Sequence, residues 1–288
     1  GRYLLSGGTE TAGSVGYSLA GASYDSVSFS VLGQASTGGR GLALKPDGTK
    51  LYVASLSSDA IYQYSLSTAY DISTASYDSV SFSVASQDAT PVDLQLNSNG
   101  TKFYIVGFSG DTVYQYSMST AYDLSTASYD SVSFSVSSQD MFPFCITFIS
   151  DGTKMYMGGN ANNRIFQYTL STGFDLSTAS YDSVSLDISS QDPGIRGIFL
   201  APSGSILYML GNSNDVVFEY TLSTPNDLST ATYSTTNFSV ATQSTAVEGF
   251  TFSSDGTKMY TISDSASTIY QYSTVLTTAQ LDLSTGSV

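Results

Sequence analysis

The chain has 288 residues, 41% of them hydrophobic, with 22 Tyr, 15 Phe, no Trp and no His. Nine Lys and Arg against 24 Asp and Glu leave a formal net charge of −15. That charge argues against nucleic-acid partners and anionic membranes. The lack of His excludes a Ser-His-Asp or Cys-His apparatus within the chain, and the single cysteine, Cys145, excludes an intrachain disulfide.

No apolar run approaches the ~18 residues of a membrane-spanning helix, so no membrane insertion is expected, and no leader peptide is read. Cys145 lies between Phe144 and Ile146 and reads as an inert buried thiol.

In chain order, residues 2–6, 14–18 and 27–31 alternate or cluster apolar residues in the manner of short strands. A repeat then takes over. Asp47-Gly48-Thr49-Lys50-Leu51-Tyr52 returns at Asn99, Asp151, Ser203 and Asp255, and Gly48, Gly100, Gly152, Gly204 and Gly256 are each 52 residues apart. A fixed period of that size marks a repeat architecture. Within one period, residues 80–84, 92–96, 102–106 and 112–117 read as four strands. Asn97-Ser98-Asn99-Gly100 and Ser109-Gly110-Asp111 supply tight turns between them. Residues 120–130 read as a structured connection. No segment has the pattern of a helix of three turns.

Four antiparallel strands per period predict an all-β fold, a β-propeller of four-stranded blades forming a single domain over residues 1–288. A parallel β-helix is the rival and fits the repeated hairpin turns poorly. In the first blade the strands are A (42–44), B (51–55), C (61–65) and D (80–84). Residues 2–6 match B, 14–18 match C, 27–31 match D and 281–286 match A. The expectation is six blades, the sixth assembled from both termini; five blades with unmatched terminal strands is the alternative.

Lys45-Pro46-Asp47-Gly48-Thr49-Lys50-Leu51-Tyr52-Val53-Ala54 resembles the YVTN-type β-propeller repeat, roughly S-P-D-G-x-x-[LV]-Y-V. The resemblance covers the first hairpin of each blade. Its Gly and Tyr persist in all five copies, whereas the Pro survives only as Pro46 and Pro202. It implies a propeller fold and no particular function.

The copies differ most in the D-to-A loop, and loops that vary on a constant scaffold are a usual place for recognition. The candidate ligand-binding residues are Arg40, Asp93, Phe142, Phe144, Arg196 and Glu248. The arginines suit an anionic group and the phenylalanines a ring. The expected channel residues Gly41, Ala43, Asp93, Gln95, Thr147, Gly197, Phe199, Gly249 and Thr251 are a poor catalytic set, so no enzyme and no catalytic residue are expected. No cofactor is expected either. Calcium at the recurring Asp71, Asp123, Asp175 and Asp227 is weighed against self-capping turns, which suit a lone Asp better. Tyr62, Tyr114, Phe166, Phe218 and Tyr270 are expected between blades, and Lys50, Lys102, Lys154 and Lys258 as a solvated row. The expected function is a non-catalytic binding module, extracellular, on a cell surface or on a virion, recognising a glycan or a surface protein. The alternatives are an assembly protein that self-associates through the repeated rim, and a propeller hydrolase or lactonase.

Overall fold

A computed structural model describes residues 17–274. Its strands form five four-stranded sheets arranged as the blades of a propeller. The A strands are Gly39–Leu44, Pro91–Leu96, Pro143–Phe148, Ile195–Leu200 and Val247–Phe252. In the first blade B is Lys50–Ser55, C is Ala60–Leu66 and D is Ala75–Ser83, all antiparallel in sequence order. The next three blades repeat this order. Helix is limited to three-residue 3-10 turns and one four-residue turn, Leu32–Ala35, among the described residues.

The number of blades is five, the alternative of the sequence reading. The fifth blade takes A, B and C from Val247–Phe252, Lys258–Ser263 and Thr268–Ser273, and its D strand from the N-terminal Ser23–Ser30. The strand expected to seed a sixth blade therefore completes the fifth. Tyr17, expected in a C strand, instead takes the place of Tyr70, with φ 61° against 64°. The other expected sixth-blade strands, 2–6 and 281–286, lie outside the described residues.

Each D strand also begins earlier than its alternation suggests. Ala75 to Tyr77 already pair with the C strand, and a bulge with Ser79 at φ 58° interrupts the register. The preceding connection contains Ile72–Thr74, a 3-10 turn capped by the Asp71 side chain on the Ser73 amide at 3.0 Å. Asp123, Asp175 and Asp227 cap their turns in the same way.

The apolar core is divided into five clusters, one at each junction of neighbouring blades. One joins Tyr52, Ala54 and Ile61 of the first blade to Leu94, Phe103 and Tyr116 of the second. Two polar devices recur at the junctions. The Tyr52, Tyr104, Tyr156 and Tyr260 hydroxyls donate to the carbonyls of Tyr122, Phe174, Asn226 and Tyr70 at 2.6–2.8 Å; Tyr208 donates to the Tyr17 carbonyl. The Gln63, Gln115, Gln167 and Gln271 carbonyl oxygens accept from the Leu124, Leu176, Leu228 and Ile72 amides at 2.8–3.0 Å.

The amide of the same glutamine donates to an aspartate of its own D strand, as Gln63 does to Asp78 at 2.8 Å. The lysine of the B strand joins there, Lys50 at 3.0 Å. Burial alone would raise the pKa of Asp78, but bonds from Gln63, Ser65 and Lys50 hold it below the usual range. The lysine series is thus a set of partly buried ion pairs rather than a solvated row. The Tyr62 series packs on its own D strand as well as facing a junction: Tyr62 meets Tyr77 edge-on at 6.0 Å.

The fourth blade lacks this trio. Ile206, Glu219 and Ser234 stand where the first has Lys50, Gln63 and Asp78. Glu219 is half-buried and its pKa is raised, by burial first, with a bond from Ser234 opposing. An acid raised in the fold keeps a proton that the unfolded chain has lost, so its contribution to stability falls as pH rises above the ordinary glutamate range. Glu219→Gln should therefore stabilise the protein, by about 1 kcal/mol near neutral pH, with the gain shrinking toward pH 4. Chemical denaturation at the two pH values checks this; an equal or lower midpoint at pH 7.5 would refute it.

The A strands approach closely at the positions of Gly41, Gly197 and Gly249. A Cβ on Gly249 would lie 2.4 Å from the Arg40 carbonyl oxygen, and one on Gly41 2.6 Å from the Leu94 amide. Backbone cannot yield as a side chain can, so Gly249→Ala should cost roughly 1–3 kcal/mol. An unchanged denaturation midpoint would show that the ring can expand.

Candidate functional site

The D-to-A and B-to-C connections meet on one rim, where the Phe108 amide donates to the Thr90 carbonyl and the Asn160 amide to the Phe142 carbonyl. Three of the five D-to-A loops are fastened by a buried aspartate. Asp140 is 1% exposed and accepts from the amides of Phe142, Ala161 and Asn162 at 2.8, 3.1 and 2.9 Å. Asp88 and Asp192 act in the same way on their own loops. The recurring Gln-Asp pair at 87–88, 139–140 and 191–192 was the sequence signal for these fasteners.

At the start of the A strands, the equivalent positions of the five blades carry Arg40, Val92, Phe144, Arg196 and Glu248. Glu248 Oε2 contacts Arg40 Nη1, and Arg196 Nε lies 2.7 Å from the same oxygen, out of line for a hydrogen bond. Arg40 Nη2 also pairs with Asp264 at 3.1 Å. The Nε groups of both arginines are buried without a hydrogen-bond partner among the described residues. The Arg196 guanidinium sits over the Phe144 ring, 4.2 Å from its centre. Burial pulls the Arg196 pKa below its usual range, while Glu248 pulls it back up. Phe142 stacks on Phe108 at 5.3 Å and is 46% exposed.

Asp93 lies one residue further along its A strand and is 8% exposed. Its Oδ1 accepts from the Leu94 amide at 2.8 Å, and its Oδ2 from the Ile146 amide of the next blade at 2.9 Å. Burial pushes its pKa up to about 8, against the two amide bonds that lower it. Cys145 is buried beside it; burial, and then the Asp93 charge, hold its thiol well above the usual range.

The structure thus brings Arg40, Phe144, Arg196 and Glu248 into one cluster. It places Asp93 one residue further along its A strand, bonded to backbone, and leaves Phe142 at the edge, stacked on Phe108. Sequence reasoning missed Asp264 and Phe108, which come from B-to-C turns that looked like ordinary connections.

No protein-family model and no curated protein sequence matches the chain. Solved structures match its fold. A functionally unknown protein of Desulfotomaculum acetoxidans is 14% identical with a TM-score of 0.51, over 78% of this chain and 79% of that one. A Bacteroides uniformis protein, provisionally described as a 6-phosphogluconolactonase, is 15% identical with a TM-score of 0.50, over 77% of this chain and 63% of that one. A Bacteroides fragilis protein with the same provisional description gives 15% and 0.49, over 70% and 55%. The chain spans just over half to about two thirds of the length of the two Bacteroides structures.

At these identities the likeness establishes the propeller fold. It also overturns the expectation of a non-catalytic binding module and of no enzyme, because a protein of this fold is provisionally described as a 6-phosphogluconolactonase. The physical reason is local. The lack of His argued against acid–base chemistry, and that reasoning left out a buried carboxyl such as Asp93, whose pKa burial raises.

Asp140→Ala would leave three amides without their acceptor, that of Phe142 in its own loop and those of Ala161 and Asn162 in the B-to-C turn. The expected cost is roughly 3 kcal/mol, read by denaturation, with faster proteolysis at 137–143. A loss below ~0.5 kcal/mol would show that the loop is held by other contacts.

Proposed function

We propose that the chain is a lactonase-type hydrolase working at the channel mouth on the D-to-A rim. The observation that carries this reading is Asp93, a buried carboxyl at the channel wall whose pKa lies near 8. Its anionic form takes a proton from water as the water oxygen adds to the carbonyl carbon of a cyclic ester. The ring C–O bond then breaks, and the departing alkoxide takes the proton back from Asp93, leaving a hydroxy acid. The Arg40 and Arg196 guanidiniums offset negative charge that develops on the carbonyl oxygen. Glu248 keeps the two guanidiniums apart from their mutual repulsion and in place. Phe144 supports Arg196 from below its plane.

The likeness to the Bacteroides uniformis protein supports the choice of a cyclic ester over other acyl substrates. The YVTN-like character of the first hairpins and a location outside the cytoplasm belong to the same proposal, resting on Pro46-Asp47-Gly48 with Tyr52 and on the acidic, Ser/Thr-rich composition.

Ring opening of glucono-1,5-lactone, followed by pH-stat with the spontaneous rate subtracted, tests this. A base must be deprotonated to act, so kcat/KM should climb as pH passes about 8 and then level. Asp93→Asn should lower kcat by roughly 10²-fold or more, and Arg196→Ala should lower it with Asp93 intact. Parent-like turnover by a folded Asp93→Asn protein would end this reading.

A further inference from the structure

On the opposite rim, at the other end of the channel, lies a cleft of about 210 Å³. Its walls are aromatic and proline side chains. Tyr17 and Phe199 stack at 5.7 Å, Phe252 lies 5.0 Å from Phe199 and 5.6 Å from Tyr17, and Pro46 closes one side. Lys45 and Ser254 line it as well and are bonded to Asp47 and to the Pro46 carbonyl; its other two polar side chains are Gln95 and Thr251. Thr251 is 7% exposed. Among the described residues neither side chain hydrogen-bonds to the protein. This hydroxyl and this amide therefore keep their hydrogen-bonding capacity for solvent or for a molecule bound in the cleft.

We propose that this cleft is a second ligand site, for a neutral cyclic polyol of single-ring size. The aromatic surfaces match the apolar C–H face of such a ring. The Gln95 amide offers a donor and an acceptor to adjacent hydroxyls, and Thr251 offers both in one group. An anionic ligand is disfavoured because the cation at the mouth, Lys45, is already paired with Asp47 at 2.7 Å. The cleft is built from the turns and A-strand ends of several blades plus Tyr17, so it exists only in the closed ring. It uses none of the residues assigned to hydrolysis, and its ligand does not depend on that assignment.

D-glucose is the probe, with glycerol and cyclohexanol as controls, observed by NMR on the methyl-labelled protein. Glucose should shift the Ala43 and Thr251 methyls and leave those of Val92, at the other mouth, in place. The Gln95→Leu, Thr251→Val double variant should bind glucose about tenfold more weakly while its cyclohexanol affinity stays. Should that variant fail to fold, the shift map of the parent protein decides. Shifts at Val92 instead of Ala43, equal binding of glucose and glycerol, or unaltered glucose affinity in the folded double variant would each overturn the proposal.

Discussion

Five A strands converge on one axis, and the backbone contacts between them govern the rest of the molecule. Glycines at 41, 197 and 249 let each strand come within reach of the next; a methyl group would strike backbone at 41 and 249 and the Phe250 ring at 197. The other two equivalent positions carry Asp93 and Cys145. Asp93 turns the close approach into a bond by accepting an amide from each of two blades. Its burial and its altered acidity follow from the same crowding. A chemical group near the axis and a ring of five blades are thus two results of one constraint.

Because the core clusters lie between blades, no blade buries its own apolar faces. Each depends on a neighbour, and a ring gives every blade two. Closure is then a requirement. Ser23–Ser30 supplies it by pairing with Thr268–Ser273. Asp25 completes the seam by accepting from Lys258, Gln271 and Ser273 at 2.6, 2.9 and 2.6 Å. These are the contacts that Asp78 makes within the first blade, so the seam repeats the interior bonding of an ordinary blade.

The scaffold and the site use charge differently. All eight described lysines and arginines carry an ion pair. Four of these pairs are the same Lys–Asp contact in successive blades and act as structural fasteners of modest net worth. At the channel mouth the repeat is broken instead. Equivalent positions hold Arg, Val, Phe, Arg and Glu, so an asymmetric cluster sits on a nearly symmetric frame. Two guanidiniums share one carboxylate there.

The strand content, the four-stranded blade and the turn glycines were legible in the sequence. The 52-residue period and the alternation of apolar residues are local properties, written by side chains on the segments they shape. The candidate residues Arg40, Phe144, Arg196 and Glu248 were also legible, because equal spacing places unlike residues at one level of the ring. The blade count was not, since residues 27–31 read as a D strand of any blade. Only the pairing of Ser23–Ser30 with Thr268–Ser273, some 245 residues apart, decides which blade they complete. The acidity of Asp93 was equally hidden. A carboxylate in an alternating strand looks exposed or buried alike, and its proton affinity depends on how near the next blade's backbone comes, which is a property of the closed ring.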